Sequence, residues 1–559
     1  MISHLIERKL KLSPPLTRNV VVQKDLRVPM PDGVELLADR WMPRSGGDGL
    51  PTALIRSPYG RRMFGQILAR PLAERGYQVL IQSVRGGFGS GGVFDPMRQE
   101  RSDGLATLDW LVRQPWSDAI VLYGLSYLGH VQWAVADQLP PQVKAMIPVV
   151  TESALTLEFL RPDGMSLETP FGWGVLVGTQ ERPLSMLRQA FQEKKTARAL
   201  RTLPLRDGDV AAFGERSDYI QDILAHDADS ARWDGFDHSA RVADVTVPVS
   251  SIGGWYDIFL PGQLRDFEAL QAKGRPARLT VGPWTHAEFN STPIDEAVSF
   301  GLAHARGVQP SDRAPVRLYV MGENAWRDFS SWPPPGYSPR RFLLGSGGKL
   351  TMEPVGSSAV GGALTTEAAG PSAAGDAPAP EASAPSADTY RYDPADPTPA
   401  AGGVRLVSDT GRVDNTVLEA RADVLTYTTP VLSQDVEVVG EVSAEIWFSS
   451  SLPHADVFVR LCDVDAEGRS WNVCDGLVSL TNAVEPQRAD VRLWPTAYRF
   501  RRGHRIRVQV SSGAFPRYAR NPGTGESRAT ATTLLAADQT IHIGQSAIIL
   551  PVAGGADST

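Results

Sequence analysis

The stretch from Ala119 to His130, AIVLYGLSYLGH, constrains the fold more than any other part of the chain. Its apolar run Ile120 to Tyr123 predicts a buried parallel strand, and residues 131–136 predict a helix. Ser126 lies at the corner between the two, next to the N-terminus of the helix. Backbone N–H groups at such a corner favour developing negative charge. The stretch therefore predicts a nucleophile elbow with Ser126 as the nucleophile.

The glycine spacing around this serine differs from the general elbow pattern. G-x-S-x-G places a glycine two residues after the serine, whereas this chain has Leu128 there and Gly129 one position later. A second interpretation stays open at this point, because serine also caps ordinary helices. Whether the rest of the chain supplies a base and a carboxylate for Ser126 decides between a nucleophile and a helix cap.

Strand-like and helix-like segments alternate on both sides of this stretch, which predicts a parallel α/β sheet. Residues 1–150 form the first part of this α/β domain and residues 241–310 the second part. Residues 151–240 lack strand signals and predict a helical cap over the strand ends, where ligands of open α/β sheets bind. The chain up to residue 310 is thus expected to form one capped α/β unit.

Short strands with period-2 alternation dominate residues 311–559, and Val316-Arg-Leu-Tyr-Val is an early example. Such a run predicts an antiparallel sandwich or jelly roll. Inside it, the segment near 355–387 is rich in Ala, Gly, Pro and Ser and cannot bury a core. We expect a disordered loop there, within a C-terminal all-β jelly-roll domain.

Two further strands of the α/β domain end next to an ionisable residue. Residues 247–254 lead into Asp257, and residues 277–282 lead into His286. Because parallel strands share one carboxyl edge, we expect both side chains near Ser126. The chain order Ser, Asp, His is that of α/β-hydrolases. A nucleophile, a base and a carboxylate that orients the base are the requirements for acyl transfer.

Charge and composition exclude several other classes of protein. The net charge of −7 over 559 residues provides no basic field for nucleic acid. No apolar run reaches the roughly 18 residues of a membrane span, and the charged N-terminus does not resemble a signal peptide. We therefore expect a cytoplasmic protein without a membrane partner. Its oligomeric state, monomer or homo-oligomer, is left open by the sequence.

Cysteine and histidine spacing indicates no metal site and no cofactor. The chain has two cysteines, Cys462 and Cys474, without a CxxC motif or a Cys/His cluster. The glycine-rich loop 85–92 lacks the lysine of a P-loop, so nucleotide binding is not predicted. The expected partner is a small-molecule ester.

At family level, the chain resembles the cocaine-esterase-like (CocE/NonD) α/β-hydrolases, which are related to X-Pro dipeptidyl peptidases and α-amino acid ester hydrolases. The motifs in the first part of the chain are Arg56-Ser-Pro-Tyr59-Gly, Val84-Arg-Gly, Gly124-Leu-Ser-Tyr-Leu-Gly129, Gly254-Trp-Tyr-Asp257 and Gly282-Pro-Trp-Thr-His286. Those in the last part are Tyr392-Asp-Pro, Gly503-His-Arg-Ile-Arg-Val and Phe515-Pro-Arg-Tyr-Ala-Arg-Asn521. The serine motif with Leu128 is this family's own version of the elbow.

The resemblance implies a role for each matching position. Ser126 would be the nucleophile, Asp257 the acid and His286 the base. The oxyanion hole would combine the backbone N–H of Tyr127 with the hydroxyl of Tyr59. The same resemblance implies a helical cap and a C-terminal jelly roll, as the sequence pattern itself indicates.

The chain also departs from its relatives in places. Ser83 stands where family members often carry an acidic residue. The α-amino acid ester hydrolases are expected to gather carboxylates after the catalytic aspartate to hold an ammonium group, whereas here Asp257 is followed by Ile258, Phe259 and Leu260. The expected acyl pocket is therefore apolar, and its candidate lining residues are Phe171, Trp173, Phe259 and Leu260.

Three functions follow in order of preference. The first is a serine esterase for carboxylic esters with apolar or aromatic acyl groups, and the second is an X-Pro aminopeptidase or β-lactam acylase. The third is a catalytically silent binding protein that uses the jelly roll as a lectin-like module. A transferase or a cyclase that uses the same acyl-enzyme also stays open.

Overall fold

The computed structural model describes residues 2–155, 165–182, 185–226, 230–354 and 387–554. Its first sheet consists of β1 (Val20–Pro29), β2 (Glu35–Pro43), β3 (Thr52–Ser57), β4 (Gln78–Ser83), β5 (Ile120–Leu125), β6 (Val143–Val149), β7 (Val249–Tyr256), β8 (Ala277–Thr285), β9 (Val316–Val320) and β10 (Ala325–Phe329). The spatial order is β1-β2-β4-β3-β5-β6-β7-β8-β9-β10. Neighbours from β4 to β9 run parallel, and β1, β2 and β10 pair antiparallel at the two edges. The predicted parallel α/β sheet is present.

Helices separate and cover these strands. They are α1 (Ile2–Leu10), α2 (Arg62–Phe64), α3 (Arg70–Ala73), α4 (Glu100–Leu111), α5 (Tyr127–Trp133), α6 (Glu168–Thr179), α7 (Ser185–Ala199), α8 (Gly208–Phe213), α9 (Asp218–Ala225), α10 (Ser239–Val242), α11 (Leu260–Ala272), α12 (Thr292–Glu296), α13 (Leu302–Ala305) and, in the second sheet region, α14 (Thr416–Glu419). Two π-helical turns, Gly65–Ala69 and Ala297–Gly301, join α2 to α3 and α12 to α13.

The second sheet is built from the C-terminal part of the chain. Its strands are β11 (Tyr337–Gly345), β12 (Lys349–Met352), β13 (Ala387–Tyr392), β14 (Leu425–Thr428), β15 (Val436–Ser450), β16 (Ala455–Val464), β17 (Ser470–Leu480), β18 (Gln487–Phe500), β19 (Arg505–Ser511), β20 (Ala537–His542) and β21 (Ala547–Ala553). The pairing is antiparallel except for one contact between β12 and β14. A β-rich C-terminal domain is therefore confirmed.

The central strands of the first sheet are buried along their length. All six residues of β3 and of β4 are buried, as are residues 120–124 of β5. Such continuous burial is typical of parallel strands that are covered on both faces of the sheet. One hydrophobic core extends from this sheet into the C-terminal domain, because Tyr256 and Trp494 belong to the same cluster. The carboxyl ends of β5, β7 and β8 thus belong to a sheet whose core continues into the C-terminal domain.

The pairing predicted for one strand is wrong. The sequence predicts Val316–Val320 as a strand of an antiparallel sandwich, but as β9 it pairs parallel with β8 and extends the first sheet. Its residues alternate between buried and half-buried because β9 lies near the sheet edge. This alternation imitates an antiparallel sandwich strand. The loop expected near 355–387 falls on 355–386, which lie outside the described residues.

A group of helices stands between β6 and β7, in the region where strand signals are missing from the sequence. The first of these, α6, is tied to the C-terminal domain by a bidentate ion pair between Glu168 and Arg405, with N–O distances of 2.7 and 2.8 Å. Both side chains are buried. Backbone bonds from Leu167 to Arg517 and from Glu168 to Pro516 reinforce this junction.

Candidate active site

Ser126 is the first residue after β5 and the residue before α5. Its backbone angles, φ +57° and ψ −126°, are rarely adopted by L-residues and cost roughly 1–3 kcal/mol. The surrounding core holds this conformation, since the Ser126 N–H donates to the carbonyl of Val149 and the Ser126 carbonyl accepts from Gly129 and His130. The turn therefore has the sharp, strained geometry of a nucleophile elbow.

The two glycines of the serine motif permit this turn for different reasons. A Cβ on Gly124 would lie 2.3 Å from the carbonyl oxygen of Leu128, which folds back over the end of the strand. A Cβ on Gly129 would lie 2.4 Å from Cγ2 of Thr151 in the loop after β6. The second glycine is thus required one position later than in the general pattern, where the helix crosses the neighbouring loop.

The three predicted triad side chains meet at the carboxyl edge of the first sheet. The Nε2 atom of His286 lies 2.9 Å from Oγ of Ser126, and its Nδ1 atom lies 2.6 Å from Oδ2 of Asp257. Asp257 is fully buried, whereas His286 is partly exposed. Each residue directly follows its strand, so strand register alone brings together positions that are 131 and 29 residues apart in the chain.

Hydrogen bonds fix the orientation of the Asp257 carboxylate. Its Oδ1 atom accepts from the backbone N–H of Phe259 at 2.8 Å, and this leaves Oδ2 directed at His286. The backbone carbonyl of Asp257 accepts from the indole N–H of Trp494 at 3.0 Å. Trp494 lies in β18 of the C-terminal domain, so this loop is held from both domains.

Two glycines bring the ends of β7 and β8 close together. A Cβ on Gly254 would lie 2.4 Å from the carbonyl oxygen of Trp284, and a Cβ on Gly282 would lie 2.5 Å from the Trp284 ring. Both strands therefore need glycine where this tryptophan packs between them. The consequence is a close approach of the loops that carry Asp257 and His286.

Tyr59 lies beside Ser126, and its hydroxyl accepts a hydrogen bond from the indole Nε1 of Trp173 at 2.9 Å. Burial raises the pKa of Tyr59 to about 12, and hydrogen bonds with Trp173 and Ser126 oppose that rise. The phenol consequently keeps its proton at neutral pH and is available as a donor. Because the Trp173 bond occupies one lone pair of the oxygen, it restricts the direction in which the Tyr59 proton can point.

Tyr127 is anchored by its side chain. Its hydroxyl donates to Oε1 of Glu100 at 2.6 Å and accepts from the backbone N–H of Met97 at 3.0 Å. As the first residue of α5, Tyr127 has a backbone N–H outside the intrahelical ladder. This N–H and the Tyr59 hydroxyl are the two donors proposed for an oxyanion next to Ser126.

The four candidate pocket residues divide into two groups. Trp173 stacks on Tyr127 with ring centroids 5.9 Å apart, and the Phe259 ring meets the His286 ring edge at 5.4 Å. Phe171 instead belongs to a separate buried cluster with Phe515 of the C-terminal domain. Leu260 is fully buried at the start of α11 in the main core. Trp173 and Phe259 are thus the two that contact residues of the site.

The contact from Trp494 and the bond from Trp173 to Tyr59 were not foreseen from the sequence. Trp494 stands in an ordinary β-strand pattern, and its own position carries no motif. A partial signal existed in the segment Phe515 to Asn521, because Arg517 from that segment lies over the Trp494 ring at 4.9 Å.

Metal and membrane chemistry find no support in the described residues. They contain no group of three or more His, Cys, Asp or Glu side chains arranged to hold a metal ion. In the same parts of the chain, no helix is both long and apolar enough to cross a membrane.

Both parts of the chain resemble known proteins. Residues 32–288 match the family described as X-Pro dipeptidyl-peptidase (S15 family), and residues 309–547 match the X-Pro dipeptidyl-peptidase C-terminal non-catalytic domain. Cocaine esterase from Rhodococcus sp. (strain MB1 Bresler) is 33% identical, over 96% of this chain and 99% of that protein.

Solved structures resemble the whole fold at lower identity. An aminopeptidase from the marine sediment archaeon Thaumarchaeota archaeon superposes with a TM-score of 0.79 at 20% identity, covering 96% of this chain and 97% of its own. An α-amino acid ester hydrolase superposes with a TM-score of 0.76 at 21% identity, covering 97% and 98%. The sheet order, the elbow and these likenesses define an α/β-hydrolase with a C-terminal β-rich domain. Within that class, the chain belongs to the CocE/NonD family.

Proposed function

We propose that this protein is a serine hydrolase that cleaves carboxylic esters with apolar or aromatic acyl groups through an acyl-enzyme on Ser126. The observation that carries the proposal is the continuous hydrogen-bonded path from Asp257 through His286 to Ser126. The 33% identity to a cocaine esterase over nearly the whole chain supports an ester as the substrate.

Each triad residue then has a defined task. With Nδ1–H of His286 donating to Asp257, Nε2 is free to accept the hydroxyl proton of Ser126 as Oγ attacks the carbonyl. The imidazolium returns that proton to the leaving alcohol, and Asp257 stabilises its positive charge. Water repeats the cycle on the acyl-enzyme, with His286 taking the proton of the water. The products are the acid and the alcohol.

We propose that the Tyr59 hydroxyl and the Tyr127 backbone N–H stabilise the oxyanion. The Tyr59 phenol stays protonated because burial raises its pKa to about 12. The helix dipole of α5 points its positive end at the same place. A preorganised donor of this kind is typically worth about 3 kcal/mol in the transition state.

We place the acyl group beside Trp173 and Phe259. The residues after Asp257, namely Ile258, Phe259 and Leu260, are buried and apolar. They provide no carboxylate for a substrate ammonium, and this favours an ester with an uncharged acyl group. The X-Pro aminopeptidase remains the second candidate, since both domain matches carry that description.

We also propose that the helices α6 to α10 act as a cap and that the second sheet has jelly-roll topology. The bond from Trp173 of α6 to Tyr59 and a second bond from Gln180 to the Pro58 carbonyl support the cap. Antiparallel pairing of β15 with β18, β20 and β21 supports the jelly roll. We propose a cytoplasmic location, which is compatible with the two buried thiols of Cys462 and Cys474, which form no disulfide.

The test is a panel of aryl esters, alkyl esters and Xaa-Pro anilides, measured on the wild type and on Ser126→Ala. We expect ester hydrolysis by the wild type and a loss of at least about a thousandfold in kcat for the variant. Faster cleavage of the anilides than of the esters would favour the aminopeptidase instead.

Labelling with a fluorophosphonate separates an enzyme from a silent binding protein. We expect one label per chain on Ser126, none on Ser126→Ala, and normal labelling of the control Ser102→Ala, whose serine is exposed on α4. Absence of label on the folded wild type would contradict the proposal.

A further inference from the structure

The loop that carries Asp257 is held by a side chain from the C-terminal domain. The indole N–H of Trp494 donates to the backbone carbonyl of Asp257 at 3.0 Å, and both residues are buried. A bond to the backbone fixes the position of the loop itself, while the Phe259 N–H fixes the rotation of the carboxylate within it. The two bonds together determine where Oδ2 meets His286.

The same domain contacts the residues that precede the acid and the base. The Tyr256 hydroxyl donates to the backbone carbonyl of Asn472 at 3.2 Å. The Asn472 side chain in turn holds a neighbouring loop, accepting from the N–H of Val413 at 2.7 Å and donating to the carbonyl of Gly411 at 2.9 Å. Gly411 lies against Thr285, the residue before His286, since a Cβ there would be 3.2 Å from Cγ2 of Thr285.

A buried charged network lies behind Trp494 and limits its movement. The guanidinium of Arg517 covers the Trp494 ring at 4.9 Å and forms an ion pair with Asp475. Asp475 also pairs with Arg460 at 3.0 Å, and Arg460 donates to Asn415 at 2.5 Å. These charges are removed from water, so their mutual attraction is strong and their geometry is tightly coupled.

We infer that Trp494 is a positioning residue for the triad: it fixes the Asp257 loop and thereby makes the C-terminal domain part of the framework of the active site. The inference rests on the proposed function, because it assigns Trp494 an effect that passes through Asp257. It differs from a purely structural role, in which loss of the indole N–H would affect stability alone.

The direct test is Trp494→Phe, which removes the N–H and keeps an aromatic ring under Arg517. We expect kcat for the best ester to fall about tenfold, with KM changed less than about twofold, because the substrate does not touch Trp494. The acid limb of the profile of kcat/KM against pH should move to lower pH, since a displaced carboxylate stabilises the imidazolium less. Trp471→Phe is the matched control, because its indole N–H donates to the half-buried Asp465 in the same domain.

A double-mutant cycle with Asp257→Asn shows whether the effect passes through the acid. We expect Trp494→Phe to change kcat less than about twofold when Asp257 is already Asn, because the positioned charge is then absent. A full tenfold loss in that background would overturn the inference, as would wild-type kcat and pH profile in the single variant. Loss of activity in Ser126→Ala with no effect of Trp494→Phe would leave the proposed function standing and reject this inference alone.

Tyr256→Phe provides a second variant should Trp494→Phe lose its cooperative thermal transition. It removes the hydroxyl that reaches Asn472 and leaves the core ring in place. We expect a fall in kcat of about threefold with unchanged KM and the same direction of change in the pH profile. Wild-type kinetics in this variant would contradict a role of the C-terminal domain in positioning the acid loop.

Discussion

Ser126 and Asp257 belong to one hydrogen-bonded chain, yet they are held in place in different ways. The serine is positioned by contacts within the first domain: two glycines permit its strained turn, and its N–H donates to Val149 at the end of β6. The aspartate is held locally by the Phe259 N–H and also by Trp494, which is 237 residues away in the chain and in another domain. The nucleophile thus depends on nearby contacts, whereas the acid also depends on a remote one.

This difference explains which parts of the site a sequence reveals. A side chain that is held by its neighbours in the sequence needs particular residues at short spacing, and Gly124, Ser126 and Gly129 form a pattern for that reason. A contact between distant segments needs only that two surfaces meet, so its residues follow no fixed spacing in the sequence. Substitutions at local and at remote contacts should therefore differ in how much they lower the activity and in which residue of the site they displace.

Among variants of the residues that support the triad, the largest effect is expected at the oxyanion donor, which is held by both a local and a remote contact. Tyr59 sits on the loop after β3 and is oriented by Trp173 from α6. Tyr59→Phe should lower kcat/KM for esters by roughly 100- to 1000-fold, because a preorganised donor to the oxyanion is lost.

Steady-state kinetics of this variant should be compared with those of Tyr427→Phe, which removes a buried hydroxyl bonded to Asp388 in the C-terminal domain. Equal activity of Tyr59→Phe and the wild type would remove Tyr59 from the oxyanion hole.

A smaller loss of activity is expected when the turn that carries Ser126 is disturbed. In Gly124→Ala the new Cβ meets the Leu128 carbonyl at 2.3 Å, so the elbow has to shift. A displacement of about 1 Å at the nucleophile costs on the order of a hundredfold in rate, and we expect a loss of this size in kcat together with slower fluorophosphonate labelling.

Gly345→Ala serves as the control for this change. A Cβ on Gly345, in β11, meets no atom closer than 3.6 Å, and its backbone angle suits any residue. If both variants react with the fluorophosphonate and hydrolyse esters at the wild-type rate, the elbow tolerates an added methyl group better than its contacts indicate.

The smallest effect concerns stability and a remote contact. Asp266 of α11 binds the N–H and hydroxyl of Ser153 after β6. Burial raises the pKa of Asp266 from its ordinary 3.8 to about 7, with the Ser153 bonds opposing. Between these values the folded protein binds a proton that the unfolded chain releases, so stability falls as pH rises, by at most about 1.4 kcal/mol per pH unit.

Asp266→Asn removes this titration and should therefore gain stability relative to the wild type from pH 5 to pH 7. Urea unfolding at several pH values measures the difference, with the exposed Asp109→Asn as control. If the free energy of unfolding depends on pH in the same way for Asp266→Asn and the wild type, Asp266 does not titrate in this range.

Much of the fold and of the candidate site could be predicted from the sequence, and the failures have physical causes. The alternation of strands and helices and the positions of Ser126, Asp257 and His286 follow from buried parallel strands, each ending just before one polar residue. The strand at Val316–Val320 was misplaced because half-exposed strands near an edge alternate in the same way in either kind of sheet.

The candidate pocket shows a second limit. Phe171 and Trp173 both lie in α6, but residues two apart on a helix point in nearly opposite directions. Trp173 reaches Tyr59, whereas Phe171 packs toward Phe515. Only the orientation of the helix, which the sequence does not contain, decides between them.

The buried pair of Glu168 and Arg405 has a consequence for recombination between members of this family. A chimera that took its C-terminal domain from a relative without the arginine would leave the buried Glu168 carboxylate without its partner, and an uncompensated buried charge typically costs about 3–5 kcal/mol. Domain exchange must therefore transfer both residues of this ion pair, even though their codons lie more than two hundred positions apart in the gene.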